Sequence, residues 1–306
     1  MKSMFGKITN WKQKHNGLLF YILMLIWPMA HFLVSYVGVN FNSFLLAFQQ
    51  YVQTESEWKW VGLDNFRRVW NEFTQTGVLR SQLINSVVMW FFGNFLVMVL
   101  TIFISYYIYK KYRMSGFFRI ILFIPSILPG IILVMIYKIF MNEATPALFA
   151  EFGMQIEPLV TLSSPSRIPM IILYNMLVGF GVQMLVYTST MSQISPSVIE
   201  AGMMDGITPM RELCSIVIPM IFPTITTYFI AGLATLFSNQ ANLLAFFEYE
   251  VFASERTIGY ELFTLINGQG NGLSQYGYAS AVGMCCSVIT LVVTFIARHF
   301  LAKKED

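Results

Sequence analysis

The 306 residues are 56% hydrophobic and only 11% charged, with a mean hydropathy of +0.61. A soluble domain carries about 25% charged residues, so this chain cannot face water on every side, and composition overrules the two soluble domains that length alone would suggest. The net charge of +3 at pH 7 is too small to mark a nucleic-acid partner.

A helix that crosses a membrane needs about 20 mostly apolar residues, and six segments of the sequence qualify. In chain order they are 18–39, kinked at Pro28; 83–109; 117–141, carrying Pro125 and Pro129; 168–190; 222–247; and 278–301. The first is too long for a signal-peptide core and lacks a small-residue cleavage pattern, so it reads as a retained anchor. The expected fold is all-α membrane: an N-terminal segment 1–17, a transmembrane domain 18–301 and a tail 302–306. The largest external loop, about Gln49 to Gln82, carries Trp58 and Trp60 and reads as an amphipathic turn at the interface. No duplicated half is visible, which weighs against a secondary transporter.

Basic residues set the orientation. With six spans both termini share one side, and that side collects Lys2, Lys7, Lys12, Lys14, Lys110, Lys111, Arg113, Arg119, Arg211, Arg298, Lys303 and Lys304. Those are 12 of the 19 basic residues, accompanied by 5 of the 16 acids. The termini are therefore expected in the cytoplasm. His15, His31 and His299 are scattered, and Cys214, Cys285 and Cys286 form an odd set in or beside apolar segments, so no metal is expected.

Between the fourth and fifth spans, the stretch 195–219 has a local logic of its own. Ser195 before Pro196 and Thr208 before Pro209 are two cap-then-proline helix starts. Gly206 suits the left-handed residue that ends the first helix, and the second helix is expected to end or kink before Pro219. A helix-turn-helix results, presenting acids from its first member. Its residues Glu200-Ala201, Asp205-Gly206, Ile216, Pro219 and Pro223 resemble the EAA loop of ABC-importer permeases. Gly202 and Ile207 depart from that pattern where alanines are usual, Leu213 stands for a common Phe, and Ile218 for Leu.

The resemblance implies a type I importer permease fold in a bacterial cytoplasmic membrane, with the loop docked in a cleft of a separate ATPase. Glu200 would pair with a basic residue of that ATPase, Gly206 would set the angle between the helices, and Asp205 would cap the turn or the second helix. It implies two ATPase subunits holding ATP and Mg, a second permease and an extracytoplasmic solute-binding protein. No cofactor is expected in this chain, which has no Gly-x-x-x-x-Gly-Lys-Ser/Thr phosphate loop. Shorter elements resemble carbohydrate permeases, in particular the first of a maltose-type pair. They are Gly62-Leu63-Asp64-Asn65-Phe66-Arg67, Asn85-Ser86, Phe118-Arg119 with Phe123-Ile124-Pro125, and Tyr276-Gly277-Tyr278-Ala279-Ser280-Ala281.

A solute path needs polar groups that lipid-embedded helices otherwise avoid. On the fourth span Asn175, Gly179, Gln183 and Tyr187 share a face; on the fifth, Ser238, Asn239, Gln240 and Asn242 cluster. Amides and rings suit sugar hydroxyls and apolar sugar faces, although small and amide residues also join helices to one another. No acid or base stands in the middle of a predicted span, which disfavours ion coupling, and the cluster holds no cation for an anionic solute. Sugar or oligosaccharide import is the leading reading. An ABC importer for a polyol, phosphodiester or peptide is the alternative, and an ion-coupled secondary transporter is the more distant one.

Overall fold

The computed structural model describes residues 20–267 and 272–303. The expected segment 1–17 and tail residues 304–306 lie outside them. The elements in chain order are α1 (Phe20–Leu46), β1 (Gln49–Val52), β2 (Glu57–Trp60), α2 (Asp64–Asn71), α3 (Val78–Tyr109), α4 (Ser115–Ser126) and α5 (Gly130–Glu151). Then follow α6 (Arg167–Met191), α7 (Pro196–Met204), α8 (Pro209–Ala234), α9 (Leu243–Phe247), α10 (Ile258–Asn267) and α11 (Leu273–Leu301). Six of these, α1, α3, α5, α6, α8 and α11, are long and apolar enough to cross a membrane.

The spans match the expected six in number but not at every boundary. The third was expected to be continuous over 117–141. Pro129 instead caps a new helix with extended backbone (φ −57°, ψ 131°), separating α4 from α5. Two prolines four residues apart remove two helical donors, and the extended Pro129 starts a new helix. The gap is used: an added Cβ on Gly181 of α6 would come within 2.5 Å of Ser126 Cβ.

The fifth span was expected over 222–247, and the helix before it was expected to end or kink before Pro219. In the structure, α8 runs unbroken from Pro209 through Pro219 and Pro223 to Ala234. A wide π turn over Leu213–Val217 gives the Pro219 ring the room that an α turn would deny it. The chain leaves the helix at 235–242, where Ala241 (φ 51°) and Asn242 (φ 60°) are left-handed. Asn tolerates that conformation well.

The loop read as an interfacial turn is more ordered than expected. It forms an antiparallel hairpin, with Gln49 opposite Trp60 and Val52 opposite Glu57, followed by α2. The buried Asn65 donates to Ala47 O at 3.0 Å and Gln49 O at 2.9 Å. Gly277 is there because a Cβ would fall 2.1 Å from Gln49 O. Two of the short family-like elements thus meet at one carbonyl.

Three buried clusters hold the bundle. One joins α5, α6 and α9 around Tyr137, Tyr174 and Phe246. The second packs α3, α6, α7 and α8 around Ile102, Tyr187, Ile199 and Val217, and the third joins α3, α10 and α11 around Leu79, Ile258 and Tyr278. Outside them, Ile131, Met135, Ile139, Val288, Leu291 and Phe295 are exposed, and α1 exposes every residue from Phe20 to Leu45. Such surface in contact with water would be untenable; against lipid it is favourable.

The bundle ends differ in charge. The end with α7 carries Lys110, Lys111, Arg113, Arg119, Arg211, Arg298 and Lys303. At the opposite, acidic end five cations are tied to acids in the pairs Lys59–Glu55, Arg67–Asp64, Arg68–Glu72, Arg167–Glu255 and Arg256–Glu261. Among the described residues, the basic end has the single ion pair Lys110–Glu212.

Candidate coupling loop and solute cleft

The helix-turn-helix of 195–219 is formed as expected in outline. Ser195 (ψ 128°) and Thr208 (ψ 154°) are extended, each before a proline that starts a helix. The caps do not act through their hydroxyls: Ser195 Oγ lies 2.8 Å from Ser197 Oγ, while Thr208 contributes its carbonyl, accepting from Glu212 N at 2.8 Å. Gly206 is left-handed (φ 71°) at the turn, and Ile207 N reaches back to Gly202 O at 3.2 Å, the pairing that closes a helix C-terminus.

The two faces of α7 are sharply different. Ile199 and Gly202 are buried against α8. Glu200, Ala201 and Asp205 point outward, and the Glu200 and Asp205 carboxylates have no partner among the described residues. Around them Met203, Met204 and Met210 are exposed, Met204 by 89%. Sequence reading singled out the acids and overlooked these methionines. Their signal was three unshielded methionines beside a charged turn, a composition common at adaptable binding surfaces.

Two departures from the family pattern have a joint explanation. A Cβ on Gly202 would stand 3.0 Å from Ile216 Cδ1 and 3.3 Å from Ile207 Cγ2. The larger side chain at 207 therefore fits because the smaller one stands at 202.

The solute-path candidates separate into distinct places. Asn175, Asn239 and Asn242 line one cleft of about 190 Å³ between α3, α6 and the turn after α8. Asn242 Nδ2 donates to Asn175 Oδ1 at 2.8 Å, and Asn175 Nδ2 donates to Ala241 O at 3.1 Å and Ile171 O at 2.8 Å. Asn94 completes the cleft from α3 and was missed, although it is a lone amide in the apolar run 91–100. It sits on a π turn over Phe91–Leu96, as does Gly93, where α3 crosses α6: a Cβ on Gly179 would lie 3.5 Å from Gly93 O and 3.0 Å from Val97 Cγ1. Gly179 is thus a packing residue.

Gln240 lines a neighbouring cavity of about 440 Å³ that shares Asn239 and Asn242 with the cleft. Gln183 lies deeper, in a void of about 10 Å³ closed by Trp90, Phe95 and Phe229, its Oε1 buried and unpaired. Ser238 faces away, into a groove against α11 and Tyr36 of α1, and is not part of the cleft.

A further correction concerns charge. Lys138 stands within α5 rather than at the end of a span, and its ammonium donates to Phe246 O at 2.9 Å. It lines a cavity of about 430 Å³ together with Glu248 and Glu250, so that cavity offers no net positive charge to an anion.

Helices that present lipid-facing surface all round, a polar cleft among them and an exposed acidic turn anchored to a span define a multi-pass membrane permease. Residues 98–305 match the family described as binding-protein-dependent transport system inner membrane component, and the chain belongs to that family. Among curated relatives it is 30% identical over 200 residues to the galactooligosaccharides transport system permease protein GanP of Bacillus subtilis, covering 61% of this chain and 48% of GanP. It is 25% identical over 217 residues to the multiple sugar-binding transport system permease protein MsmF of Streptococcus mutans, covering 68% of this chain and 70% of MsmF. The maltose/maltodextrin permease MalF of Vibrio vulnificus is 23% identical over 265 residues, 80% of this chain and 49% of MalF. The chain thus spans about half the length of GanP and MalF. A chain of a bacterial ABC transporter involved in import of the acidic polysaccharide alginate has the same fold, with a TM-score of 0.76 at 19% identity, covering 96% of this chain and 98% of that one.

Proposed function

We propose that this chain is one of two permease subunits of an ATP-driven, binding-protein-dependent importer of sugars or oligosaccharides. The observation that carries the proposal is the outward face of α7. Glu200 and Asp205 stand unpaired among exposed methionines, while the inward face of the same helix is packed on α8. A docking surface pairs an apolar contact with charges that select the partner. A basic cleft of an ATPase subunit fits that description, and each of two ATPases, holding ATP and Mg, would engage one permease.

The unpaired cations at the α7 end support a cytoplasmic position for that end and for both termini, in a bacterial cytoplasmic membrane. The acidic end would then meet a solute-binding protein outside. For the solute, the cleft offers the amides of Asn94, Asn175, Asn239 and Asn242 and no net cation. That chemistry suits a neutral polyhydroxy compound better than a phosphodiester. The names of GanP, MsmF and MalF, all sugar permeases, favour the same class.

Affinity purification of the tagged chain from its native membrane tests this, comparing wild type with Glu200→Arg and Gly206→Pro. Recovery of an ATPase and a second permease with wild type, and loss of the ATPase with either variant, is the expected result. A chain that purifies without any ATPase, and transports unchanged with either variant, would overturn it.

A further inference from the structure

The one ion pair at the basic end of the described residues joins two spans, which none of the five at the acidic end does. Lys110 Nζ lies 2.9 and 3.0 Å from the two carboxylate oxygens of Glu212. The side chains are only 16% and 4% exposed. The partners are 102 residues apart and belong to different spans. Lys110 follows the last helical residue of α3 and Glu212 lies in the first turn of α8. A cation at a helix C-terminus and an anion near a helix N-terminus are each favoured by their own helix dipole, so the pair joins two helix ends that already attract these charges.

We infer that Lys110 and Glu212 form a clasp that carries movement of the α7 turn into α3. The inference rests on the ATP-driven reading above. Packing alone ties α7 to α8, through Ile199, Gly202 and Ile216. A charge-assisted contact held by both carboxylate oxygens adds a short, strong link between α3 and α8 beyond the apolar packing. With the clasp closed, a displacement imposed at Glu200 and Asp205 moves α7, the start of α8 and the end of α3 as one body. The middle of α3 carries Asn94 of the cleft, so the clasp would make α3 the route from loop to cleft. Lys110 and Glu212 are positioning residues; neither touches the cleft.

The decisive variant is Lys110→Met with Glu212→Met in one chain, assembled in the full complex and reconstituted in proteoliposomes. Replacing both members of a buried pair by apolar residues of similar volume leaves stability largely intact, whereas removing one strands a buried charge. Transported solute per ATP hydrolysed is expected to fall at least about fivefold, the lower end for energetic coupling between sites, with assembly and basal hydrolysis retained. A second measurement needs no transport: spin labels at the exposed positions Lys111 and Met204, with their separation read by pulsed electron resonance. The separation is expected to stay narrow through the ATP cycle in wild type and to broaden in the double variant. Unchanged coupling together with an unchanged, narrow separation in the double variant would overturn the clasp. A wild-type complex that hydrolyses no ATP would instead overturn the importer reading, and the clasp with it.

Discussion

Gly202→Ala tests whether the packing of α7 on α8 is set jointly at positions 202 and 207. The new Cβ would meet Ile216 Cδ1 at 3.0 Å and Ile207 Cγ2 at 3.3 Å, inside the usual carbon contact of about 3.5–4.0 Å. Overpacking costs about 1–3 kcal/mol; the closer neighbour, Ile216 Cδ1, is a chain end able to turn, while Ile207 Cγ2 sits on the stiff branched carbon, which places this case at about 1–2 kcal/mol. Replacing glycine inside a helix offsets about 0.5–1 kcal/mol of that, leaving a net loss of about 0–1.5 kcal/mol. Ile207→Ala alone removes half-buried apolar surface, a loss of about 1–2 kcal/mol. In the double variant the space vacated at 207 receives the Cβ at 202, so its loss should fall short of the sum by about 1 kcal/mol. Equilibrium unfolding of the purified protein in mixed detergent–SDS micelles measures all three. A double variant whose loss equals the sum of the singles, within about 0.5 kcal/mol, would refute the shared packing and leave the two family departures unrelated.

Two further outcomes follow from the cleft and the hairpin. Asn242→Gly keeps the left-handed backbone (φ 60°) at no steric cost while deleting the amide. If that amide binds solute, the transport KM should rise roughly tenfold, the worth of one hydrogen bond, and an unchanged KM at normal expression would remove Asn242 from the site. Gly277→Ala drives a Cβ to 2.1 Å from Gln49 O, backbone that cannot turn aside. The loss should reach about 3 kcal/mol, seen as protease cutting in 49–60, and a hairpin as resistant as wild type would contradict the geometry.

What the sequence disclosed depended on the kind of signal. Apolar length located all six spans, because lipid imposes it residue by residue. It failed at 235–242, where a polar run between apolar flanks was read as helix although two successive left-handed residues break it. Proline was misread in the third span. Pro129 breaks a span that hydropathy had run together, while the helix runs on through Pro219 with a π turn just before it, and hydropathy records neither outcome. The Glu200, Asp205 and Gly206 turn was legible because caps and a left-handed glycine are local signals. Lys110 and Glu212 were not, since nothing in either neighbourhood announces a partner 102 residues away. Asn94 and Asn242 could be noticed as amides in apolar surroundings, but only the fold shows which amides share a cleft, and it separates Ser238 from its sequence neighbours.

The position of α3 gives these contacts a common logic. Asn85 donates to Ser254 O at 2.8 Å, and Ser86 Oγ accepts from Ile258 N at 2.8 Å, holding the strap between α9 and α10 at the acidic end. Trp90 Nε1 donates to Gly232 O at 2.7 Å on α8, and Ser105 Oγ to Met184 O at 3.2 Å on α6. In all four the α3 side meets a backbone atom of the other element, so the bond survives almost any substitution there but not one on α3. At Lys110–Glu212 both partners are side chains. Contacts made to backbone fix an arrangement once the chain has folded, whereas a contact between two side chains depends on both identities and is open to tuning by either. Part of the rigid bundle is therefore specified from α3, and its link to the exposed turn is the place where sequence can adjust how tightly that turn and the cleft move together.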